Sequence, residues 1–436
     1  MQKAMTTNIA RTIAGIATPV GNSGIGIVRI SGPEAANISF KLTNKKLLPR
    51  QATTLKVLND TAIAIYFVAP NSFTGEDTVE LQCHGGHFLL QKVLEDVLSL
   101  GAFPALPGEF SRQAFLNGKL SLDQAEAIID IINAESEMQL NNAHSLFNGK
   151  LRVVIEDIEK SLITVSAQLE AAMDYPDDVE VVNVAPQLEV IIKQIGELVD
   201  TARTGRILSN GIHVAVLGKP NVGKSSIFNA LLNTDRSIIT DTPGTTTDTI
   251  SESIQYNGIK ITFHDTAGIR DGQNKIESMG IERSKRALCD CDVVLIVFDS
   301  TNKDNTKEET ELLALSKNKP YIVVYNKSDL EEKKGVFTVS AKTGHNIDEI
   351  KKQIFNKVIS TPITTNQIVI TNARHLVELR NSCEALSSAL QALSCATVDC
   401  VASDISTALQ HIGNITGTRA SEAVLDEIFS RFCLGK

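Results

Sequence analysis

The chain has 436 residues, with 42 Lys and Arg against 51 Asp and Glu, a formal net charge of −9 and 42% hydrophobic residues. That length predicts two or three globular domains, the charge excludes a whole-chain basic footprint for nucleic acid, and no apolar run reaches the length of a membrane span. Seven cysteines at irregular spacing fit a reducing, cytoplasmic setting and argue against a disulfide framework.

Residues 1–119 alternate β-type runs (9–17, 24–30, 62–68, 78–83) with turns and contain one helical pattern, 87–100. This mixture predicts an α+β domain rather than a doubly wound sheet. The first acid is Glu34, a trait of transit peptides. Strand-like sequence nevertheless begins by Ile9 and no apolar leader core precedes it, so no cleaved leader is expected. The Gly-rich turn at 21–26 (GNSGIG) lies between two strands and lacks the following helix that a dinucleotide fingerprint requires. The cluster at 83–87 (CHGGH) would need a second pair of ligands to hold a structural zinc, and no pair stands at the usual spacing.

From Ser121 the period changes to 3.6. Ser121 and Gln124 read as a capping box, and Leu122, Ala125, Ile128, Ile129 and Ile132 fall on one helical face. Helix is expected through 168–173, a break at 174–180 (DYPDDVE), and then one helix over 187–208.

The stretch 218–226 (GKPNVGKSS) fits the phosphate-cradling loop G-x-x-x-x-G-K-[ST]. It follows an apolar strand, Ile212–Leu217, and opens a helix over 225–232. Gly218 and Gly223 let backbone N–H groups approach a phosphate without a Cβ clash, Lys224 reaches the β and γ phosphates, and Ser225 offers a hydroxyl to Mg²⁺. Strand 259–263 runs into Asp265, Thr266, Ala267 and Gly268, a carboxylate and glycine suited to Mg²⁺ and the γ-phosphate. After strands 293–298 and 321–325 come Asn326, Lys327, Ser328 and Asp329. The Asp329 carboxylate would accept hydrogen bonds from N1–H and the 2-amino group of guanine. Adenine offers neither, and such mispairing can cost on the order of 10⁴ in selectivity. Ser340, Ala341 and Lys342, after an expected strand at 336–339, would support the base from its other side. The order of these boxes, each behind a strand, selects GTP over ATP. Ile269, after the DTAG box, cannot orient a water by hydrogen bonding. A last helix at 351–358, an exit linker at Thr361 and Pro362, and helical sequence over 371–432 broken at Gly413 and Gly417 complete the chain. The expected division is 1–119, 120–210, 211–358 and 359–436, with the nucleotide domain inserted into one helical domain built from both flanks.

With these boxes and their flanks, the chain resembles the MnmE (TrmE) family of tRNA-modification GTPases over essentially its whole length. The resemblance includes 24–33 (GIGIVRISGP), 71–86 (NSFTGEDTVELQCHGG), 107–120 (PGEFSRQAFLNGKL) and the terminal 432–436 (FCLGK). It implies a Ras-like P-loop GTPase domain within an all-α scaffold, preceded by an α+β folate-binding and dimerisation domain. It further implies a homodimer that joins a flavoprotein, MnmG, in a heterotetramer. That assembly installs an aminomethyl or carboxymethylaminomethyl group at C5 of the wobble uridine of certain tRNAs. The one-carbon unit would come from 5-formyltetrahydrofolate or methylene-tetrahydrofolate.

The resemblance also implies residue roles. GTP would be held by Asn221, Val222, Gly223, Lys224, Ser225 and Ser226, by the loop Thr240, Asp241, Thr242, Pro243, Gly244, Thr245 and Thr246, and by the three downstream boxes. Glu277 would orient the hydrolytic water, and Ser225 and Thr246 would bind Mg²⁺. A K⁺ ion would sit on the Asn221 side chain and the backbone carbonyls of Thr240, Thr242 and Thr245, in place of an arginine finger. The family loop commonly reads GTTRD; here Thr247 replaces the Arg, which leaves the carbonyl ligands intact and puts any contact by that Arg across the dimer in doubt. Arg29, Glu80, Lys119 and Lys436 would line the folate pocket. Cys433 would act in modification; Lys436 at the end argues against a prenylation box. The competing reading is a GTPase switch in ribosome assembly, which predicts a basic RNA-binding appendage; no G-x-x-G loop in a basic setting is present. A stand-alone folate-dependent transferase regulated by GTP is a third reading.

Overall fold

A computed structural model describes residues 11–19, 21–175, 183–234, 251–265, 291–302, 306–317, 319–359, 368–433 and 435. In chain order the strands are β1 Ile13–Ile16, β2 Ser23–Ser31, β3 Thr53–Val57, β4 Asp60–Phe67, β5 Thr78–Gly85, β6 Phe103–Pro104, β7 Ile212–Leu217, β8 Ser251–Tyr256, β9 Ile259–Asp265, β10 Val293–Asp299 and β11 Tyr321–Asn326. The helices are α1 Ala35–Thr43, α2 His87–Ser99, α3 Glu109–Leu116, α4 Leu122–Asn133, α5 Glu137–Phe147, α6 Lys150–Asp174, α7 Ala185–Asp200, α8 Ala202–Asn210, α9 Lys224–Thr234, α10 Thr306–Leu315, α11 Ile347–Val358, α12 Ala373–Ala392, α13 Val398–Thr416 and α14 Glu422–Ser430. The chain forms two compact units. One comprises Met1–Ile129, Leu146–Ile192 and Asn381–Lys436; the other comprises Asp130–Ser145 and Lys193–Arg380.

The first unit contains a six-stranded sheet in the order β3-β4-β5-β2-β1-β6, antiparallel except where β1 meets β6. Alternation sends Val28 and Ile30 of β2, Val79 and Leu81 of β5, and Ala62 and Ala64 of β4 into one core with α1 and α2. The opposite face of the central strands carries Arg29 and Ser31 opposite Glu80 and Thr78. In the helical part, α6 repeats buried residues at three- and four-residue spacing (Leu151, Ile155, Ile158, Leu162, Val165, Leu169) and packs along α13. A second apolar cluster joins Leu122 and Ala125 to Leu425, Ile428, Phe429 and Phe432.

Several expectations need correction. The N-terminal region holds α1 and α3 besides the expected helix at 87–100, which appears as α2. The sequence of α1, AANISFKLT, carries mixed propensities, and Ala35 and Ile38 are helical because they complete the sheet's core. The single helix expected over 187–208 is two helices, α7 and α8. Thr201 interrupts them: its hydroxyl donates to the Leu198 carbonyl at 2.6 Å and accepts the Ile370 N–H at 3.1 Å. Gly413 lies inside α13 and does not break it, whereas Gly417, at φ 89°, caps its end. Another interruption, between α12 and α13, falls at Thr397. Ile132 stands 44% exposed rather than on the buried stripe with Leu122 and Ala125. The capping box is half formed: Gln124 Oε1 accepts from both the N–H and the hydroxyl of Ser121.

The second unit holds a five-stranded sheet in the order β11-β10-β7-β9-β8, parallel except for the β8–β9 hairpin. β10 (VVLIVFD) is buried from Val293 to Phe298, as a central parallel strand covered on both faces must be. Its residues alternate between two cores, Val293, Leu295 and Val297 in one and Val294, Ile296 and Phe298 in the other. The strand expected at 336–339 is reduced to a bridge between Thr338 and Tyr325. Two backbone hydrogen bonds, Tyr325 N–H to Phe337 and Val339 N–H to Tyr325, are made before the chain turns at Ser340.

Candidate nucleotide and ligand sites

The phosphate loop follows β7 in the middle of the second unit's sheet, and the NKSD box follows β11 at its edge. Both lie at the carboxyl ends of parallel strands, where open α/β sheets bind ligands. Gly223 has φ 92°, and a Cβ there would lie 2.1 Å from Asn326 Nδ2. The loop therefore wraps a neighbouring side chain as closely as a glycine allows. The buried Lys224 ammonium donates to the carbonyls of Gly218 at 2.6 Å and Lys219 at 2.8 Å, which curls the loop around its own cation. Ser225 and Ser226 are exposed on the first turn of α9, and Asn221 is exposed with φ 68°. A helix N-terminus, a cation and a serine hydroxyl on one loop form a donor set suited to a phosphate–Mg²⁺ group.

Asn326 is 2% exposed, and its position makes it the tie between boxes. Its Nδ2 donates to the Val222 carbonyl at 3.0 Å, and its Oδ1 accepts the Ala341 N–H at 3.2 Å. One side chain thus couples the phosphate loop to the loop carrying Ser340, Ala341 and Lys342. Ser328 N–H donates to the Val339 carbonyl at 3.1 Å. The Ser340 hydroxyl donates to Asp329 Oδ1 at 2.7 Å and accepts the Thr343 N–H at 3.2 Å. That hydroxyl, with a smaller contribution from Lys342, holds the Asp329 carboxyl below its ordinary value. Asp329 itself is exposed, so it stands as a ready anion at the mouth of the site.

Sequence reasoning missed Asp299. It ends β10 and accepts a hydrogen bond from Lys327 Nζ at 2.6 Å and two from Thr301, from its N–H at 3.0 Å and its hydroxyl at 2.8 Å. Burial pushes its pKa up, but these hydrogen bonds outweigh burial and leave it lowered. The signal was available: Asp299 terminates an apolar strand as Asp265 does. Asp265 ends β9, but its side chain lies outside the described residues. So do Thr240, Asp241, Thr242, Pro243, Gly244, Thr245, Thr246, Thr247, Thr266, Ala267, Gly268, Ile269, Glu277, Thr361, Pro362 and Lys436.

In the first unit, Arg29 of β2 and Glu80 of β5 are directly paired across the sheet. Arg29 Nε and Nη2 approach Glu80 Oε1 at 3.0 and 2.8 Å, with both side chains less than a fifth exposed. The guanidinium lies 5.7 Å from the Phe73 ring centroid and 5.5 Å from that of Phe110. Its Nη1 donates to the Gly435 carbonyl at 3.3 Å. Gly435 has φ 88°, and a Cβ there would sit 2.1 Å from the Ile16 carbonyl oxygen, so the Gly435 backbone lies directly against the end of β1. Lys119 closes α3 by donating its N–H to Ala114 at 2.8 Å. Its side-chain stem runs beside Gly75, whose Cβ would meet Lys119 Cγ at 3.2 Å. The loop 73–75 therefore touches both Arg29, through Phe73, and Lys119. Cys433 is exposed. The aromatic pair around Arg29 was not anticipated, although Phe73 and Phe110 stand inside the stretches 71–86 and 107–120.

Two family models match the chain. One, described as the MnmE helical domain, matches residues 122–433. The other, described as the GTP-binding protein TrmE N-terminus, matches residues 12–119. Three relatives described as tRNA modification GTPase MnmE each cover 98% of this chain and 99% of their own length. They come from Caldicellulosiruptor saccharolyticus at 39% identity, Chloroflexus aurantiacus at 37% and Desulforamulus reducens at 35%.

Proposed function

This chain belongs to the MnmE family of tRNA modification GTPases, and on that premise we propose that it hydrolyses GTP to drive modification of the wobble uridine of tRNA. The observation that carries the reading is Asn326, which joins the phosphate loop to the base-side loop while Ser340 presents the Asp329 carboxylate. Lys224 exchanges its carbonyl partners for β and γ phosphate oxygens. The N–H groups of 221–226 cradle the phosphates, and Asp329 accepts from guanine N1–H and the 2-amino group. Mg²⁺ on Ser225 and Thr246, and K⁺ on Asn221 and the carbonyls of Thr240, Thr242 and Thr245, would supply the positive charge that the transferring phosphoryl group needs. Glu277 orients the attacking water. Domains at 1–119, 120–210, 211–358 and 359–436 carry these parts.

Arg29, Glu80, Lys119 and Lys436 would bind the tetrahydrofolate in the first unit. A cation within 6 Å of two aromatic ring centroids suits a flat, partly anionic pterin–glutamate ligand. Cys433 supplies a thiol beside that site. The active assembly is a cytoplasmic homodimer joined to the flavoprotein MnmG, acting on tRNA. None of the helices in the described residues is long and apolar enough to cross a membrane. The test is GTP turnover in matched potassium and sodium salts, together with analysis of tRNA from a deletion strain. Faster turnover in potassium and a missing C5 group support the reading. Equal turnover in the two salts removes the potassium assignment, and intact wobble uridine with immature ribosomal subunits supports the ribosome-assembly alternative.

A further inference from the structure

Beside the Arg29–Glu80 pair lies a set of polar groups that no role above uses. Ser31 and Thr78 are the next pair on the same sheet face, two residues along β2 and β5, about 7 Å away. Ser31, Thr74 and Thr78 are buried, and their hydroxyls form a closed triangle: 2.7 Å between Ser31 and Thr74, and 3.3 Å from each to Thr78. Ser31 Oγ also lies 3.2 Å from Glu76 Oε2. Glu76 is fixed at its backbone too, since its N–H donates to Thr74 and its carbonyl accepts from Ser72. The side chain is half-buried.

We propose that Glu76 is the proton donor for a ligand held at Arg29 and Glu80, positioned by the Ser31, Thr74 and Thr78 hydroxyls. The proposal rests on the folate reading above and adds a catalytic residue to it. When a one-carbon unit leaves a ring nitrogen, a nucleophilic acceptor makes the new bond to carbon and the nitrogen keeps the old bonding pair. That nitrogen then needs a proton to depart as a neutral amine. The O–H bond of the Glu76 carboxylic acid breaks to supply it, and the proton that the acceptor releases to solvent on forming its bond to carbon balances the one that restores the acid. Burial, followed in size by the Ser31 hydrogen bond that opposes it and the Glu109 charge that reinforces it, leaves the Glu76 pKa raised. Three of the charged groups on neighbouring elements have partners of their own. Glu109 on α3 pairs with Arg11 at 2.5 Å, Arg29 pairs with Glu80, and Asp77 accepts from the Tyr66 hydroxyl at 2.8 Å. The Lys119 stem passes Gly75 next door.

The test uses the full chain with its flavoprotein partner and tRNA, measuring single-turnover modification against pH. Equilibrium dialysis of 5-formyltetrahydrofolate and GTP turnover serve as controls. Wild type should lose rate as pH rises through the Glu76 pKa. Glu76→Gln, nearly isosteric, should bind folate and turn over GTP within twofold of wild type, modify tRNA about 10²–10⁴-fold more slowly, and lose the pH dependence. Glu76→Asp should restore part of that dependence. Ser31→Ala removes a hydrogen bond that favours the carboxylate, so it should move the alkaline limb to higher pH. A merely structural role for either residue predicts no such movement. Wild-type rate and slope in Glu76→Gln, or an unmoved limb in Ser31→Ala, overturns the proposal. If wild type retains no folate in dialysis, the folate reading fails before any substitution, and the proposal fails with it.

Discussion

Replacing Asn326 by Ala tests the central claim about the nucleotide unit, that one buried amide holds two functional loops in register. The substitution deletes the donor to Val222 and the acceptor for the Ala341 N–H, both made by a residue 2% exposed. Each such hydrogen bond has a net value of about 1 kcal/mol, and leaving its partner unsatisfied adds about 1 kcal/mol or more. Val222 is buried and Ala341 half-buried, so water relieves part of that penalty only at Ala341, and the expected total is about 2–4 kcal/mol. Guanine nucleotide binds the assembled loops, so affinity should fall by about 30- to 1,000-fold at 1.4 kcal/mol per tenfold. The unfolding transition of the nucleotide unit should drop by about 5–15 °C, at roughly 2–4 °C per kcal/mol for a unit of this size. Fluorescent GDP titration and differential scanning calorimetry read the two effects. Asn326→Asp keeps an acceptor for Ala341 but loses the donor to Val222, and should fall between wild type and Ala. If Asn326→Ala binds GDP within twofold of wild type and melts at the same temperature, the reasoning about this tie is wrong.

Asp329→Asn should lower kcat/KM for GTP by about 10²–10⁴-fold and favour xanthosine triphosphate, whose C2 carbonyl can accept from the new amide; unchanged GTP kinetics would remove Asp329 from base recognition. Asp299 and Asp329 both have depressed pKa values. Their contribution is present above the ordinary carboxylate value of about 4 and is lost only as pH falls through the lower folded values. GDP affinity should therefore stay level from pH 8 to 5 and fall below about 4, with Asp299→Asn shrinking that acid limb; a decline centred near pH 6 would implicate other groups. Gly435→Ala places a side chain at φ 88° with its Cβ 2.1 Å from a backbone oxygen. The left-handed conformation alone costs about 1–2 kcal/mol, so residue 435 should be displaced from the end of β1. Arg29 then loses a hydrogen bond, and tRNA modification should fall at least about tenfold while GTP turnover stays within twofold. Full modification by this variant would show that the Gly435 carbonyl positions nothing.

What could be read directly from the sequence was local. The phosphate loop, the strand before it and the helix after it follow from glycine spacing, an apolar run and a lysine, because backbone conformation and short-range donors define that element. The apolar run of β10 likewise announced a strand, though not that both its faces are covered. The β-type runs of β2 and β5 were legible as strands, but neither their buried faces nor their pairing were. Whether Arg29 meets Glu80 depends on the register of two strands 51 residues apart, and a shift of one residue would turn either side chain to the other face. The failures were of the same kind. Nothing local separates α7 from α8, because Thr201 earns its place through a hydrogen bond to Ile370, 169 residues away. α1 is helical through its core contacts and not through its own propensity. The Asn326 bridge, the aromatic walls around Arg29 and the Ser31–Thr74–Thr78 triangle join residues distant in the chain. Tertiary structure alone decided them, because a side chain's partner is fixed by which backbones pack together, and sequence spacing records only neighbours along one element.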